Sequence, residues 1–335
     1  MVGLRQEKKE NSMKTFMALL VLGISAFGYA GDVLPSWNDG QNKHTIVTYV
    51  KAVTDRKSTD FIPVKDRIAV FDNDGTLWSE RPVYFQLYFT MDRVKALASE
   101  HPEWKTTEPF KSVLENNLTG IMKSGEHGLV TLVNATHSGM DAETFKSEVQ
   151  TWLKTAKHPT TDRPYTELIY QPMMELIQYL EANDFKVYIV SGGGIDFMRA
   201  FVPELYGIPE EHIIGSMGKV HYKDGKIIKD DEIHFIDDKE TKPVAIYRTI
   251  GKRPVAAFGN SDGDFAMMRY TEANNKHKTL QLYVHHTDAK REWAYDRKSP
   301  IGKLDKGLDY ARDHNWTVVD MKKEWKVVYP FELQK

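Results

Sequence analysis

No cysteine occurs anywhere in the 335 residues. That one absence excludes disulfides, thiolate metal sites and a lipid-modified cysteine anchor. Charge of one sign is missing too: 45 Lys and Arg against 47 Asp and Glu leave a net charge of −2. A chain so balanced has no general attraction for nucleic acid or an anionic membrane, and no basic run or RNA-binding signature breaks the balance. Repeats and low-complexity segments are absent, and a composition of 41% hydrophobic and 27% charged residues is that of an ordinary globular protein. Long apolar runs are also lacking. The best of them, Phe16 to Ile24, falls short of the ~20 residues that span a bilayer. It follows Met13-Lys14 and precedes Gly28-Tyr29-Ala30, small residues of the kind a signal peptidase requires. Residues 1–30 are therefore expected to be a leader cut after Ala30, with Met1 or Met13 as the true start. The mature protein is expected in a bacterial periplasm or secreted, without stable membrane association. An uncleaved anchor is the competing reading.

What the chain does have is Arg67-Ile68-Ala69-Val70-Phe71-Asp72-Asn73-Asp74-Gly75-Thr76. The apolar run is short and rich in β-branched and aromatic residues, which reads as a buried strand. Asp72 and Asp74 then stand just past its carboxyl end, where open α/β sheets hold their ligands. Two acids beside a flexible glycine fit an attacking carboxylate and a proton carrier. A plain turn competes with that reading, because Asp, Asn and Gly all favour turns. A calcium loop fits less well, since Gly75 is fourth rather than sixth and follows a strand pattern instead of a helix.

Farther along, Pro172 suits a helix first turn, and Met173, Leu176, Ile177 and Leu180 recur at helical spacing. Phe185 to Val190 reads as a strand closed by Ser191-Gly192-Gly193-Gly194, and Phe197, Met198 and Phe201 as the next helix. Ile213-Ile214 marks a strand, and Val220 to Ile228 a hairpin centred on Asp224-Gly225. Pro243 opens a helix. Val255 to Phe258 is a strand that runs into Gly259-Asn260-Ser261-Asp262-Gly263-Asp264, and Leu280 to Val284 is another. This alternation predicts a parallel sheet with helices on both faces. The span from Ser79 to Pro164 does not alternate. Tyr84 to Leu97 and the stretch opened by Asp141, with Phe145, Val149, Trp152 and Leu153 on one face, are helical. The expected organisation is thus residues 31–78 and 165–335 as core, with 79–164 as a helical insertion that covers the site. In a parallel sheet the three polar loops fall on one edge, so Asp72, Asp74, Ser191 and the 260–264 loop converge.

This set resembles the haloacid dehalogenase superfamily, and within it the phosphoserine-phosphatase-like phosphatases. Asp72-x-Asp74-Gly75-Thr76 matches the first family motif, Val190-Ser191-Gly192-Gly193-Gly194 resembles the second, Lys242 the third, and Gly259 to Asp264 the acidic fourth. The resemblance covers about Lys65 to Val284 and implies a Rossmann-like parallel-sheet core with an inserted type-1 helical cap. It implies a Mg2+-dependent phosphomonoester hydrolase for a small phosphorylated metabolite, with phosphoserine as the leading substrate. Asp72 would form an aspartyl-phosphate, and Asp74 would carry the proton. Ser191, the Gly192 N–H and Lys242 would bind the phosphoryl group. Asp72, the Asp74 carbonyl, Asn260 and Asp264 would hold Mg2+, with Asp264, or else Asp262, acting directly or through a metal-bound water. Asn260 stands where such enzymes carry an aspartate, so weaker Mg2+ binding is expected. Glu80 and Arg81 fall where relatives read the substrate, a solvated hinge being the alternative. His285 and His286 alternate on a strand and so cannot serve one ion. A broad-specificity periplasmic acid phosphatase, or a binding protein that has lost catalysis, are the other functional readings.

Overall fold

The computed structural model describes residues 32–334. The expected leader lies outside them. The segment read only as a polar lead-in contains helix α1 (Gln41–Thr54), which buries Ile46, Val50 and Val53. Strand β1 (Ile68–Phe71) is buried at every position, as an unbroken apolar run in a two-sided sheet requires. Between β1 and the next strand come α2 (Phe85–Leu97), short helices at Phe110–Leu114 and Leu118–Lys123, α3 (Gly125–His137) and α4 (Ala142–Thr155). Asp141 caps α4 by accepting from the Thr144 N–H at 3.0 Å, and Phe145, Val149 and Leu153 lie on its buried side.

The regular alternation follows. Helix α5 (Gln171–Glu181) carries Pro172 in its first turn and leads into β2 (Lys186–Gly194). Then come α6 (Ile195–Arg199), β3 (Ile213–Lys223), β4 (Lys226–Phe235), α7 (Thr241–Ile250), β5 (Ala256–Gly259) and α8 (Phe265–Glu272). Toward the C-terminus lie β6 (Leu280–His285), α9 (Lys306–Asp313) and β7 (Thr317–Asp320). Among the described residues, no helix is long and apolar enough to cross a membrane.

The sheet order is β4-β3-β2-β1-β5-β6-β7. Every neighbouring pair is parallel except β3 and β4, which form an antiparallel hairpin. The chain steps from β1 to β2 on one side and later returns to place β5 on the other. That makes β1 the switch point of a parallel α/β sheet, and the crevice beyond its carboxyl end is the place such sheets offer to ligands. Val70, Val190, Ile214, Ala257 and Tyr283 from successive strands share one buried cluster beneath that crevice.

Three local features depart from the expectations. The Ser-Gly-Gly-Gly stretch belongs to β2 itself, whose register against β3 slips between Ser191 and Gly194. The following helix is only five residues long, and a second short one starts at Val202 with Pro203 in its first turn, where proline is tolerated. The hairpin is longer than Val220 to Ile228. Its turn is where expected, with Asp224 and Gly225 both at positive φ (48° and 85°), but its strands run back to Ile213 and on to Phe235. That length lets it reach the helical insertion: Gly139 N–H donates to Lys229 O at 2.8 Å, Lys229 N–H to Met140 O at 3.0 Å, and Asn134 Nδ2 to Asp231 O at 2.6 Å.

Candidate active site

Asp72 leaves the end of β1 almost fully buried (6% exposed), with its Oδ1 2.7 Å from Lys242 Nζ. Lys242, 2% exposed at the start of α7, also donates to Asp264 Oδ1 at 2.6 Å and to the Val190 carbonyl at 2.9 Å. All three ammonium donors are thereby used. Burial alone would push the lysine pKa down, yet Asp264 and Asp72 outweigh it and hold the pKa above the ordinary value. Burial, and then Asp264, push the Asp72 carboxyl well above the usual range, and Lys242 opposes them. Asp74 has a different environment. Its Oδ1 accepts only the Trp78 indole N–H, at 2.7 Å, and burial pushes its pKa to about 6.

The fourth-motif loop is organised by Asp264. Its Oδ2 accepts from the Asn260 and Ser261 amides at 3.0 Å each, and Ser261 Oγ caps the next turn through the Gly263 N–H. Both oxygens of Asp264 are thus committed, one to Lys242 and one to the loop. In this geometry Asp264 anchors the lysine. Asn260 is placed otherwise. Its Oδ1 and Asp72 Oδ2 each lie 3.3 Å from Thr76 Oγ1, and a single hydroxyl proton cannot serve both. The Asn260 Nδ2 donates to Glu80 Oε1 at 2.7 Å, and the same oxygen accepts from Tyr295 O–H at 2.8 Å. Glu80 therefore fixes the amide so that its carbonyl oxygen turns toward Asp72. Gly75, at φ +77°, makes this possible: a Cβ there would stand 2.0 Å from Asn260 Nδ2.

Among the described residues, no three His, Cys, Asp or Glu side chains cluster as a metal site. The donors that do converge are a carboxylate oxygen of Asp72 and an amide oxygen of Asn260, a hard all-oxygen pair of the kind Mg2+ takes along with water and phosphate. The residues present therefore fit that ion.

The phosphate side is built from β2. Ser191 is buried and its Oγ accepts from the Gly193 N–H at 3.1 Å, while Gly192 is exposed toward the cavity. A Cβ on Gly193 would come within 3.5 Å of Asp74 Oδ2, so the glycine run and the second acid face one another closely. Asp72, Asp74, Glu80, Ser191, Gly192, Lys242 and Asp264 all line one cavity. Asn260 stands behind Gly75 rather than on that lining.

One sequence expectation is corrected, for Arg81, and for Glu80 the alternative of a solvated hinge is removed. Glu80 is not solvated: it is 2% exposed, and burial pushes its carboxyl well above the usual value. Arg81 does not line the cavity. Its guanidinium lies over the Tyr295 ring at 5.2 Å and donates to Ser299 Oγ at 3.1 Å, which removes it as a substrate contact. His285 and His286 do part company: His286 bonds the Gly75 carbonyl at 2.8 Å and Glu292 at 3.1 Å, while His285 meets Asp296. Sequence reasoning missed Gln86, whose Oε1 accepts from the Gly194 N–H at 2.7 Å, as well as Trp78 at Asp74 and Tyr295 at Glu80. For Trp78 the spacing i, i+4 from Asp74 was a usable signal. For Tyr295 there was none.

A family model described as haloacid dehalogenase-like hydrolase matches residues 69–269. No curated protein matches the sequence. Among solved structures, a protein of unknown function from Bordetella pertussis Tohama I is 14% identical, aligned over 76% of this chain and 98% of its own, with a TM-score of 0.48. A functionally unknown protein from Anaerococcus prevotii DSM 20548 is 17% identical over 77% and 89%, with a TM-score of 0.48. A phosphoserine phosphatase from T. onnurineus is 16% identical over 77% and 99%, with a TM-score of 0.34.

Proposed function

The chain belongs to the haloacid dehalogenase-like hydrolase family, and on that premise we propose that it hydrolyses phosphate monoesters, with Asp72 as nucleophile and Asp74 as proton carrier. The observation that carries this reading is the unequal placement of two acids on one loop. Asp72 touches a buried cation, Lys242, while Asp74 has only an indole donor and a pKa near 6. A bound cation favours the ionised form of Asp72 once burial is offset, whereas Asp74, with a neutral donor and a raised pKa, can hold the proton it must give.

In the first step an Asp72 oxygen forms a bond to phosphorus and the bond to the alcohol oxygen breaks. Asp74 gives that oxygen its proton, and the alcohol leaves. In the second step Asp74 takes a proton from water, whose oxygen attacks the same phosphorus. Inorganic phosphate departs and Asp72 is restored. Lys242 offsets the charge that Asp72 shares with the phosphoryl group. Ser191 and the Gly192 N–H bind phosphoryl oxygens. Mg2+, held by Asp72, Asn260 and the Asp74 carbonyl, would draw negative charge off the phosphoryl oxygens as the anionic nucleophile approaches.

Residues 79–164 act in this reading as a cap on a core formed by 31–78 and 165–335. The leader would deliver the enzyme to the periplasm or outside the cell. A catalytically silent binding protein would not need both Asp72 and Asp74 in these separate environments. The test is phosphate release from a panel of phosphorylated metabolites, with Mg2+ and with chelator. Wild type is expected to release phosphate only with metal, and Asp72→Asn none; equal release by both would refute the assignment.

A further inference from the structure

The cavity above the acids has a volume of about 530 Å3, within the range that holds a drug-sized ligand. The reacting groups occupy one end. Beyond them Leu129, Val133, Phe145, Phe197, Met217 and Ile233, drawn from the insertion helices, α6 and the β3–β4 hairpin, form an apolar stretch of the wall, interrupted by Asn134, Asp230 and Asp238. Two lysines reach the cavity and neither is free. Lys242 is held between Asp72 and Asp264, and Lys229 is paired with Asp196 and lies 4.7 Å over the Phe145 ring. Among the described residues, no arginine lines it. A second anionic group on the substrate, such as the carboxylate of phosphoserine, would thus be desolvated with no free cation to pair it and would share the cavity with Asp230 and Asp238, which is unfavourable.

His137 adds a polar feature. It lines the same cavity, is 6% exposed, and spends Nδ1 on Thr136 Oγ1 at 2.7 Å, while its buried Nε2 has no hydrogen-bond partner. Burial, with Lys229 and Arg93 nearby, lowers its pKa to about 3, so the ring stays neutral. We infer that the chamber receives the leaving alcohol of a phosphate monoester whose body is uncharged and largely apolar, with one hydrogen-bonding group that meets His137. This rests on the hydrolysis proposed above.

The experiment compares kcat/KM, with Mg2+ and the full-length protein, for n-hexyl phosphate, methyl phosphate and phosphoserine, all esters of primary alcohols. Burying several methylenes predicts that hexyl phosphate leads both others by about 100-fold. Val133→Asp is expected to lower the hexyl-to-methyl ratio at least tenfold, a ratio that does not depend on how much of the variant is folded. For one chain length of ω-hydroxyalkyl phosphate, wild type should prefer the hydroxyl over its methyl-terminated isostere by about tenfold, and His137→Phe should abolish that preference. Phosphoserine or methyl phosphate turned over as efficiently as hexyl phosphate would overturn the inference and leave the hydrolase reading intact. An unchanged ratio in Val133→Asp, no hydroxyl preference in wild type, or one that persists in His137→Phe would also overturn it. No hydrolysis of any ester would overturn both.

Discussion

Replacing Lys242 by methionine tests whether one buried cation holds the site together. Its ammonium sits between Asp72 at 2.7 Å and Asp264 at 2.6 Å, with all partners within the protein. Methionine keeps most of the volume and removes the charge. Two carboxylates about 5 Å apart repel by roughly 3 kcal/mol at an effective dielectric of about 20. Breaking a buried pair from one side costs about 3–5 kcal/mol by direct measurement in other proteins. At about 2–4 °C per kcal/mol, that is a fall of roughly 6–20 °C in Tm without metal. The pH dependence follows from the direction of the shift. Asp72 is already raised by burial and by Asp264, and without Lys242 the shift grows. A carboxyl with a higher pKa folded than unfolded binds more protons in the folded state, so its contribution is intact below about pH 4 and is lost as pH rises through the folded value. The deficit should therefore be smaller near pH 5 than at pH 8, and adding Asp72→Asn to Lys242→Met should recover part of it. Calorimetric melts at the two pH values measure this directly. A variant that melts within 2 °C of wild type at pH 8, with the same pH slope, would refute the bridging role.

Trp78→Phe removes the indole hydrogen bond to Asp74, which lowers the pKa of that acid. A bond to a charged group is worth about 1.5–3 kcal/mol, so the alkaline fall of kcat/KM, expected near pH 6 because Asp74 must enter protonated, should move up by about one unit. No movement would show that Asp74 does not control that limb. Asp74→Asn should abolish the limb and cost about 10²–10⁴ in kcat, read from pH–rate profiles. Asn260→Asp alone sets a carboxylate against the Glu80 carboxyl across a 2.7 Å contact and removes the donor that held it, whereas Asn260→Asp with Glu80→Gln restores a donor there. Titration calorimetry with Mg2+ should show tighter binding by the double variant than by Asn260→Asp alone; equal affinities would remove Asn260 from the metal site.

What the sequence made legible was local. Ile68 to Phe71 and Val255 to Phe258 announce buried strands because their apolar runs end abruptly in polar loops, and parallel pairing then brings Asp72, Ser191 and Asn260 to one edge. Asp141 announces a cap and Asp224-Gly225 a turn, each through chemistry contained within four residues. β7 stayed hidden because Thr317–Asp320 is short and lies at the sheet edge, with too few alternations to stand out. Helix α1 stayed hidden because its buried residues are interleaved with polar ones over a segment that reads as loop. The reach of the hairpin to Met140 was hidden for another reason: strand length beyond a turn depends on what the strands meet.

The same limit explains the asparagine at 260. Read along the chain, it is an aspartate lost from an acidic motif. In the fold, Glu80 stands 2.7 Å behind it and Tyr295 holds Glu80, contacts that join residues 180 and 215 positions apart. The Glu80 oxygen that accepts from the Asn260 amide fixes its orientation and turns its oxygen toward Asp72, as an outer partner would if Asn260 held a metal. Glu80 comes from the loop that follows the first motif, and Gly75 leaves the space through which Glu80 and Asn260 meet. On that account Asn260 and Glu80 are a single functional unit, and a substitution at either is interpretable only beside the exchange of both.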